Sequence, residues 1–176
     1  MMRHNQSAFE RNRTYLNVEG SQFLDISYIT GADDDGDSRA VVAADFRNDG
    51  RLDLLVRQVG GAPLLYYQND FPVANYLKVS LRGRKSNRLG IGARVSIVHG
   101  EGRQYREVYP ANTFNSQAAA FVHFGLKDVD TVEKIEIEWP SGTKQTLRDV
   151  PANQHVYITE NQPTLLTAVP GKTVEP

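Results

Sequence analysis

Apolar and polar residues alternate with a period of two along much of this chain, and no stretch keeps a helical spacing over several turns. The clearest case is residues 135–139, where Ile135, Ile137 and Trp139 alternate with Glu136 and Glu138. This pattern is typical of a strand with one face on a core and one face in water. We therefore predict an all-β fold with Trp139 facing the core.

The back half of the chain repeats this alternation between closely spaced turns. Leu77, Val79 and Leu81 are expected on the core side of one strand, with Lys78 on the solvated side. About seven candidate strands lie between residues 75 and 160 on this test. Short intervals between turns favour an antiparallel β-sandwich or barrel over a βαβ arrangement.

The N-terminal part of the chain has a different hydrophobic pattern. Short apolar runs at residues 39–44, 52–57 and 64–69 are separated by acidic, glycine-rich turns, as in a small meandering sheet. Residues 13–27 partly echo the last of these runs, which suggests one complete propeller-type blade and the trailing strands of another. A blade gains its core by stacking on neighbours. We expect either further blades before Met1 in a longer chain, or docking of this segment on the C-terminal domain.

These patterns divide the chain into three parts. Residues 1–74 are predicted to form an incomplete propeller segment, and residues 75–160 an antiparallel β domain. Residues 161–176 contain three prolines and weak patterning, which predicts a flexible tail.

One acidic loop between two apolar runs has the spacing of a cation site. Asp45, Asp49 and Asp53 occupy loop positions 1, 5 and 9, and Gly50 at position 6 permits a sharp turn. Position 7 would supply the backbone carbonyl of Arg51. Oxygen ligands in such a loop favour Ca²⁺.

Arg47 occupies position 3 of the same loop, where a calcium loop has an oxygen ligand. A guanidinium cannot bind a cation but can pair with neighbouring carboxylates. Two interpretations therefore stay open: a calcium site, or a loop closed by Arg47 and hydrogen bonds. A second acidic cluster at residues 33–37 is predicted to be a solvated turn that could lend a ligand to this loop.

Composition narrows the classes of partner. The 176 residues are 40% hydrophobic and 23% charged, as in ordinary folded proteins, and the net charge of -1 offers no general attraction for nucleic acid. There is no cysteine, so disulfides and thiolate chemistry are excluded. No segment has the length and apolarity of a membrane span or a signal peptide, so we predict no membrane insertion.

No pattern predicts a catalytic site. The four histidines are scattered, and His123 lies in a strand, where a structural role is expected. A polar set on loops is the alternative candidate for a carbohydrate or peptide site, although its members could equally cap turns. This set consists of Arg88, Arg106, Asn112, Asn115, Ser116 and Gln117.

Two family resemblances emerge from these motifs. The loop from Asp45 to Asp53, followed by Leu54-Leu55-Val56 and Leu65-Tyr66, resembles the FG-GAP/VCBS repeat, a calcium-loop propeller blade. From residue 75 onward the chain resembles the ASPIC/UnbV domain. The matching pieces are Ser86-Asn87-Arg88, Ile91-Gly92-Ala93-Arg94-Val95, Asn115-Ser116-Gln117, His123-Phe124-Gly125-Leu126, Trp139-Pro140-Ser141-Gly142 and Val150-Pro151-Ala152-Asn153-Gln154.

The resemblance implies a non-enzymatic binding or adhesion module that is extracellular or exposed at the cell envelope, with no catalytic residues to carry over. The partner would be a protein or a glycan. Two alternatives remain: a carbohydrate-binding accessory module of a carbohydrate-active enzyme, or a structural cap of a longer propeller protein.

Overall fold

The computed structural model describes residues 10–60, 62–100, 102–109, 111 and 114–168. These residues form two compact units that are discontinuous in sequence. The first unit comprises Met1–Phe46, Leu52–Asp70 and Thr113–Ser116, and the second comprises Arg47–Arg51, Phe71–Asn112 and Gln117–Pro176. No helix among the described residues is long and apolar enough to cross a membrane.

The first unit contains two small antiparallel sheets and one helical turn. Its strands β1 and β2 form a hairpin, and β3, β4 and β5 form a meander in that order. The elements are β1 (Tyr15–Val18), β2 (Gln22–Asp25), α1 (Ser27–Thr30), β3 (Ser38–Ala44), β4 (Asp53–Gln58) and β5 (Leu64–Tyr67).

The second unit is a sandwich of two four-stranded sheets. One sheet has the order β11-β10-β7-β8 and the other β13-β12-β6-β9. The strands are β6 (Asn75–Arg82), β7 (Arg94–His99), β8 (Gly102–Glu107), β9 (Phe121–Lys127), β10 (Thr131–Glu138), β11 (Lys144–Pro151), β12 (Gln154–Thr159) and β13 (Leu165–Thr167). The all-β prediction is confirmed, and seven strands lie between residues 75 and 160 as expected.

The core of the second unit is built from the inward residues of both sheets. Ile135, Ile137 and Trp139 are buried in one apolar cluster, as the alternation predicts, and Phe124 belongs to the same cluster. Burial of these side chains is the main stabilising contribution to such a sandwich. In the first unit, by contrast, the buried apolar residues among those described are Ala32 and Val56.

Three sequence predictions need correction. The pairing of β12 with β6 is parallel, whereas all strands were expected to pair antiparallel. Residues 165–167, which were assigned to a flexible tail, form the edge strand β13 on β12, while residues 169–176 lie outside the described residues. Lys78 is on the side opposite Leu77, as expected, but it is buried rather than solvated.

Candidate functional site

In the second unit, the centre of the acidic loop is closed by arginine. Arg51 donates from Nε and Nη2 to Oδ2 of Asp49 at 3.1 and 2.7 Å, and its backbone N–H donates to Oδ1 at 3.0 Å. Arg47 Nη1 lies 3.5 Å from the same Oδ2. Hydrogen bonds from the Arg51 side chain and amide lower the pKa of Asp49 to about 2. Asp49 is therefore an ionised partner of arginine at neutral pH.

In the first unit, Asp53 is fully buried at the start of β4. Its Oδ2 accepts a hydrogen bond from the Tyr66 hydroxyl at 2.9 Å, and its Oδ1 accepts one from the Asn69 amide at 2.8 Å. A buried carboxylate needs such donors because desolvation otherwise costs several kcal/mol, on the order of the penalty for any buried ion. Asp53 thus ties β5 to β4.

These donors do not fit a calcium site. Both carboxylate oxygens of Asp49 and of Asp53 already accept hydrogen bonds from the protein. Across the part of the chain that the structure describes, no three acidic or histidine side chains come together as a metal site requires. Of the predicted ligands Asp45, Asp49, Arg51 and Asp53, the Arg51 side chain takes the role of the cation at Asp49. These contacts support the second interpretation, a loop closed by arginine and hydrogen bonds.

We expect calcium to change the melting temperature by less than about 1 °C at millimolar concentration, relative to a chelated sample. The reason is that a cation would have to displace the Arg51 guanidinium from Asp49. Differential scanning calorimetry with calcium, magnesium and chelator measures this. A calcium-specific, concentration-dependent rise of several degrees would instead show that the loop rearranges to bind the ion.

Gly50 allows a close approach at the tip of the same loop. Its φ is +87°, and a Cβ there would lie 2.1 Å from the ring of Tyr76. His123 Nε2 lies 2.8 Å from the Gly50 carbonyl oxygen, and its ring stacks on Tyr76 with centroids 5.8 Å apart. His123 therefore has the structural surroundings that its strand position predicts.

The predicted polar set does not appear as one cluster. Arg106 donates to the Tyr105 carbonyl at 2.8 Å and lies over the Phe124 ring. Arg88 is exposed on the loop between β6 and β7, and Gln117 is exposed. In the first unit, Asn115 has a φ of +56° and Ser116 donates to the Val41 carbonyl. Asn112 lies outside the described residues. The roles of these residues in ligand binding stay predictions.

One serine–histidine pair was not evident from the sequence. Parallel pairing of β6 and β12 brings Ser80 Oγ within 2.8 Å of His155 Nε2. Burial lowers the pKa of His155 to about 4, and the nearby charge of Lys78 adds to the effect. A base this weak removes a hydroxyl proton poorly at neutral pH, so the pair is better suited to a structural hydrogen bond than to catalysis.

Glu160, which no sequence pattern singled out, accepts five hydrogen bonds from described residues. It follows β12 and is 1% exposed. Its Oε2 accepts hydrogen bonds from three consecutive backbone amides, those of Arg84, Lys85 and Ser86, at 2.7, 2.7 and 2.8 Å. Its Oε1 accepts from the hydroxyls of Ser86 and Ser141. Consecutive amides of this kind form an anion-binding nest, which is filled here by an internal carboxylate.

The pKa of Glu160 reflects this coordination. Burial by itself raises the pKa, but the hydrogen bonds from Ser141, Ser86, Arg84 and Lys85 outweigh it and lower the pKa to about 2. Glu160 therefore holds the β6–β7 loop and the β10–β11 turn together as a permanent anion at neutral pH.

The neighbouring turn is fixed by a second polar side chain. Gln145 Oε1 accepts from Trp139 Nε1 at 3.0 Å and from the Asn161 amide at 3.0 Å. Its Nε2 donates to the carbonyls of Thr159 and Gln162. Trp139 is 3% exposed, so it is a core residue and not an exposed sugar-stacking surface.

The comparisons with known proteins identify a family over part of the chain. A search of the curated proteins finds no match. Two of the motifs that carried the ASPIC/UnbV resemblance, Ser86-Asn87-Arg88 and Trp139-Pro140-Ser141-Gly142, meet at Glu160. Residues 83–165 match the family model described as ASPIC and UnbV, which confirms the expected resemblance over that range.

Proposed function

We propose that this chain is a non-enzymatic binding or adhesion module of a larger β-rich protein that is exposed outside the cell or at its envelope. The β3–β5 sheet, with its exposed apolar residues, supports the proposal most strongly. In this proposal the sheet is a propeller-type blade, in line with the FG-GAP/VCBS resemblance. The location rests on family resemblance alone, and protease treatment of intact cells carrying the gene tests it.

The β3–β5 sheet carries apolar side chains on both faces. Directly paired residues lie on the same face of an antiparallel sheet. The pairing register therefore shows which side chains belong to each face. The first face has Val41, Val56 and Leu65 in one row and Ala43, Leu54 and Tyr67 in the next; the second has Val42, Leu55 and Tyr66, with Ala40 and Leu64. A sheet that is apolar on both faces is normally covered on both faces.

Much of this apolar surface remains accessible to solvent. Leu64 is 59% exposed, Tyr66 47% and Val41 36%. On the first face, a cavity of about 340 Å³ is lined in part by Leu54 and Val56. Exposed apolar surface of this kind marks a protein interaction site, and repeat units cover it by stacking on similar sheets.

We expect the isolated chain to self-associate through this sheet, because apolar side chains on both of its faces remain exposed among the described residues. Sedimentation velocity over a range of concentrations measures the association. The double variant Val41→Lys/Leu64→Lys places one charge on each face and should make the chain monomeric. Both positions are exposed, so stability should change by no more than about 0.5–1 kcal/mol.

Leu166→Lys provides the matched control, since Leu166 is 50% exposed on β13 of the second unit. It should leave the association unchanged. The proposal fails if wild type stays monomeric at every concentration, or if Leu166→Lys disperses the assembly as effectively as the double variant.

A further inference from the structure

The loop between β6 and β7 carries an exposed group of cations. Arg84, Lys85 and Arg88 are all exposed, and they lie within five consecutive residues. We call residues 83–88 the basic loop. Leu89, directly after it, is 50% exposed. Three cations on so short a segment give a local positive potential that the net charge of -1 does not reveal.

The backbone of the basic loop is held in one conformation. Glu160 binds three of its amides, and Gly83 N donates to the Arg88 carbonyl at 3.1 Å, which closes the loop on itself. A Cβ at Gly83 would lie 2.1 Å from the Asn87 carbonyl oxygen, so the closure requires glycine. Asn87 in turn holds the backbone N–H and carbonyl of Ile91 with its side-chain amide. The attachment points of the three cations are therefore preorganised, which lowers the entropic cost of binding.

Within the residues that the structure describes, none of these three side chains forms an ion pair. The outer face of the β11-β10-β7-β8 sheet shows the opposite arrangement. There Arg94 pairs with Glu107, Arg103 with Glu136, and Lys144 with Glu138. Each of these three cations is therefore neutralised by a carboxylate.

The Glu160 carboxylate contacts the backbone of the basic loop. Its negative charge could therefore reduce the positive potential of the three cations. Glu160 is 1% exposed and its oxygens are occupied by backbone amides and by the hydroxyls of Ser86 and Ser141. It therefore fixes the backbone without pairing with the guanidinium or ammonium groups. The exposed side of the loop stays positive.

We propose that the basic loop binds an anionic polysaccharide through Arg84, Lys85 and Arg88. Two planar guanidinium groups pair bidentately with carboxylate or sulfate, and the lysine adds a point charge. An extended chain with repeated anionic groups can reach all three cations at once.

This inference names a partner class for the proposed binding module, and in that sense rests on it. Different residues carry the two proposals, because the apolar sheet consists of β3–β5 and the basic loop follows β6. A result that removes one leaves the other testable.

Titration of the whole chain with dextran sulfate and with polygalacturonate tests the inference, with neutral dextran as the uncharged reference. We expect saturable binding to at least one polyanion, weakening as NaCl rises from about 50 to about 300 mM because exposed charges are screened. The triple variant Arg84→Gln/Lys85→Gln/Arg88→Gln should lose affinity by at least about tenfold. Sulfate and carboxylate specificity are distinguished by which polymer binds more tightly.

The matched control is Lys134→Gln/Lys144→Gln/Arg148→Gln, which removes the same charge from strands β10 and β11. It should change the affinity less than about twofold, and melting curves show whether each variant is folded. Equal losses in the two variants, no binding to either polyanion, or tighter binding to phosphatidylglycerol vesicles or to duplex DNA would overturn the inference. Self-association through β3–β5 would be unaffected by any of these outcomes.

Discussion

Replacing Glu160 with glutamine is expected to lower the free energy of unfolding by about 2–4 kcal/mol, because charge-assisted hydrogen bonds in a buried site are replaced by weaker neutral ones. The carboxylate accepts from the amides of Arg84, Lys85 and Ser86 at one oxygen. Glutamine has one carbonyl oxygen and presents an NH₂ group where Glu160 has its second acceptor. If its carbonyl oxygen faces the three amides, the hydroxyls of Ser86 and Ser141 must rotate and accept from the NH₂ group, and every remaining hydrogen bond is between neutral groups.

Urea denaturation followed by fluorescence measures this loss. Trp139 is the one tryptophan in the chain, and it is buried in the second unit, so its emission reports the unfolding of that unit. Glu138→Gln is the matched control, because Glu138 is exposed and lies 3.7 Å from Lys144. It should cost less than about 1 kcal/mol. Equal effects of the two substitutions would show that the nest does not hold the loop.

The Glu160 effect should depend on pH in a defined direction. The pKa of Glu160 is about 2 in the folded chain against an ordinary value of 4.5. A carboxyl group with a depressed pKa contributes its stability fully above the unfolded value and loses it as pH falls toward the folded value. The difference between wild type and Glu160→Gln should therefore be largest above pH 4.5 and shrink toward pH 2. A difference that is constant across this window would contradict an ionised Glu160.

Truncation of the sandwich core should have an effect of similar size. Phe124→Ala is expected to destabilise the second unit by about 3–5 kcal/mol, because it removes a large buried ring and leaves a cavity between the sheets. Phe124 is fully buried on β9 within the apolar cluster. The two units can unfold in separate steps, so the measurement needs a probe that lies in the second unit. Trp139 fluorescence is such a probe.

Leu166→Ala is the control for the core truncation, because Leu166 is 50% exposed on the edge strand β13. Its effect should stay within about 0.5 kcal/mol. A loss below about 1 kcal/mol for Phe124→Ala would mean that the cavity collapses or that the two sheets do not share one core.

The strand pattern could be predicted because it is a local property. Alternation places Ile135, Ile137 and Trp139 on one side of a strand wherever that strand lies in the fold, and all three are buried. The same reasoning puts Glu136 and Glu138 on the outer side, where they pair with Arg103 and Lys144. The parallel pairing of β6 with β12 could not be predicted in this way, because the two strands are about seventy residues apart in sequence. Which strands become neighbours depends on how the whole sheet assembles.

The acidic loop shows how residue spacing alone can mislead. Asp45, Asp49 and Asp53 have the spacing of calcium ligands, but spacing does not specify which donors reach them. Arg51 was assigned only a backbone carbonyl as a ligand, and its side chain instead binds Asp49. Asp53 is satisfied by Tyr66 and by the Asn69 amide, donors that pairing of β5 with β4 brings to it.

Sequence by itself determined the β class of this protein, the seven strands between residues 75 and 160 and the core-facing side of those strands whose alternation is clear, because these follow from neighbouring residues. Only the tertiary structure decided the role of Glu160, whose surroundings come from the distant loop at residues 84–86 and the turn at Ser141. A glutamate that is one among many charged residues in sequence becomes a buried anion when folding brings three amides to it. Hydrogen bonds to backbone groups leave no trace in side-chain patterning, because every residue except proline carries the same amide donor.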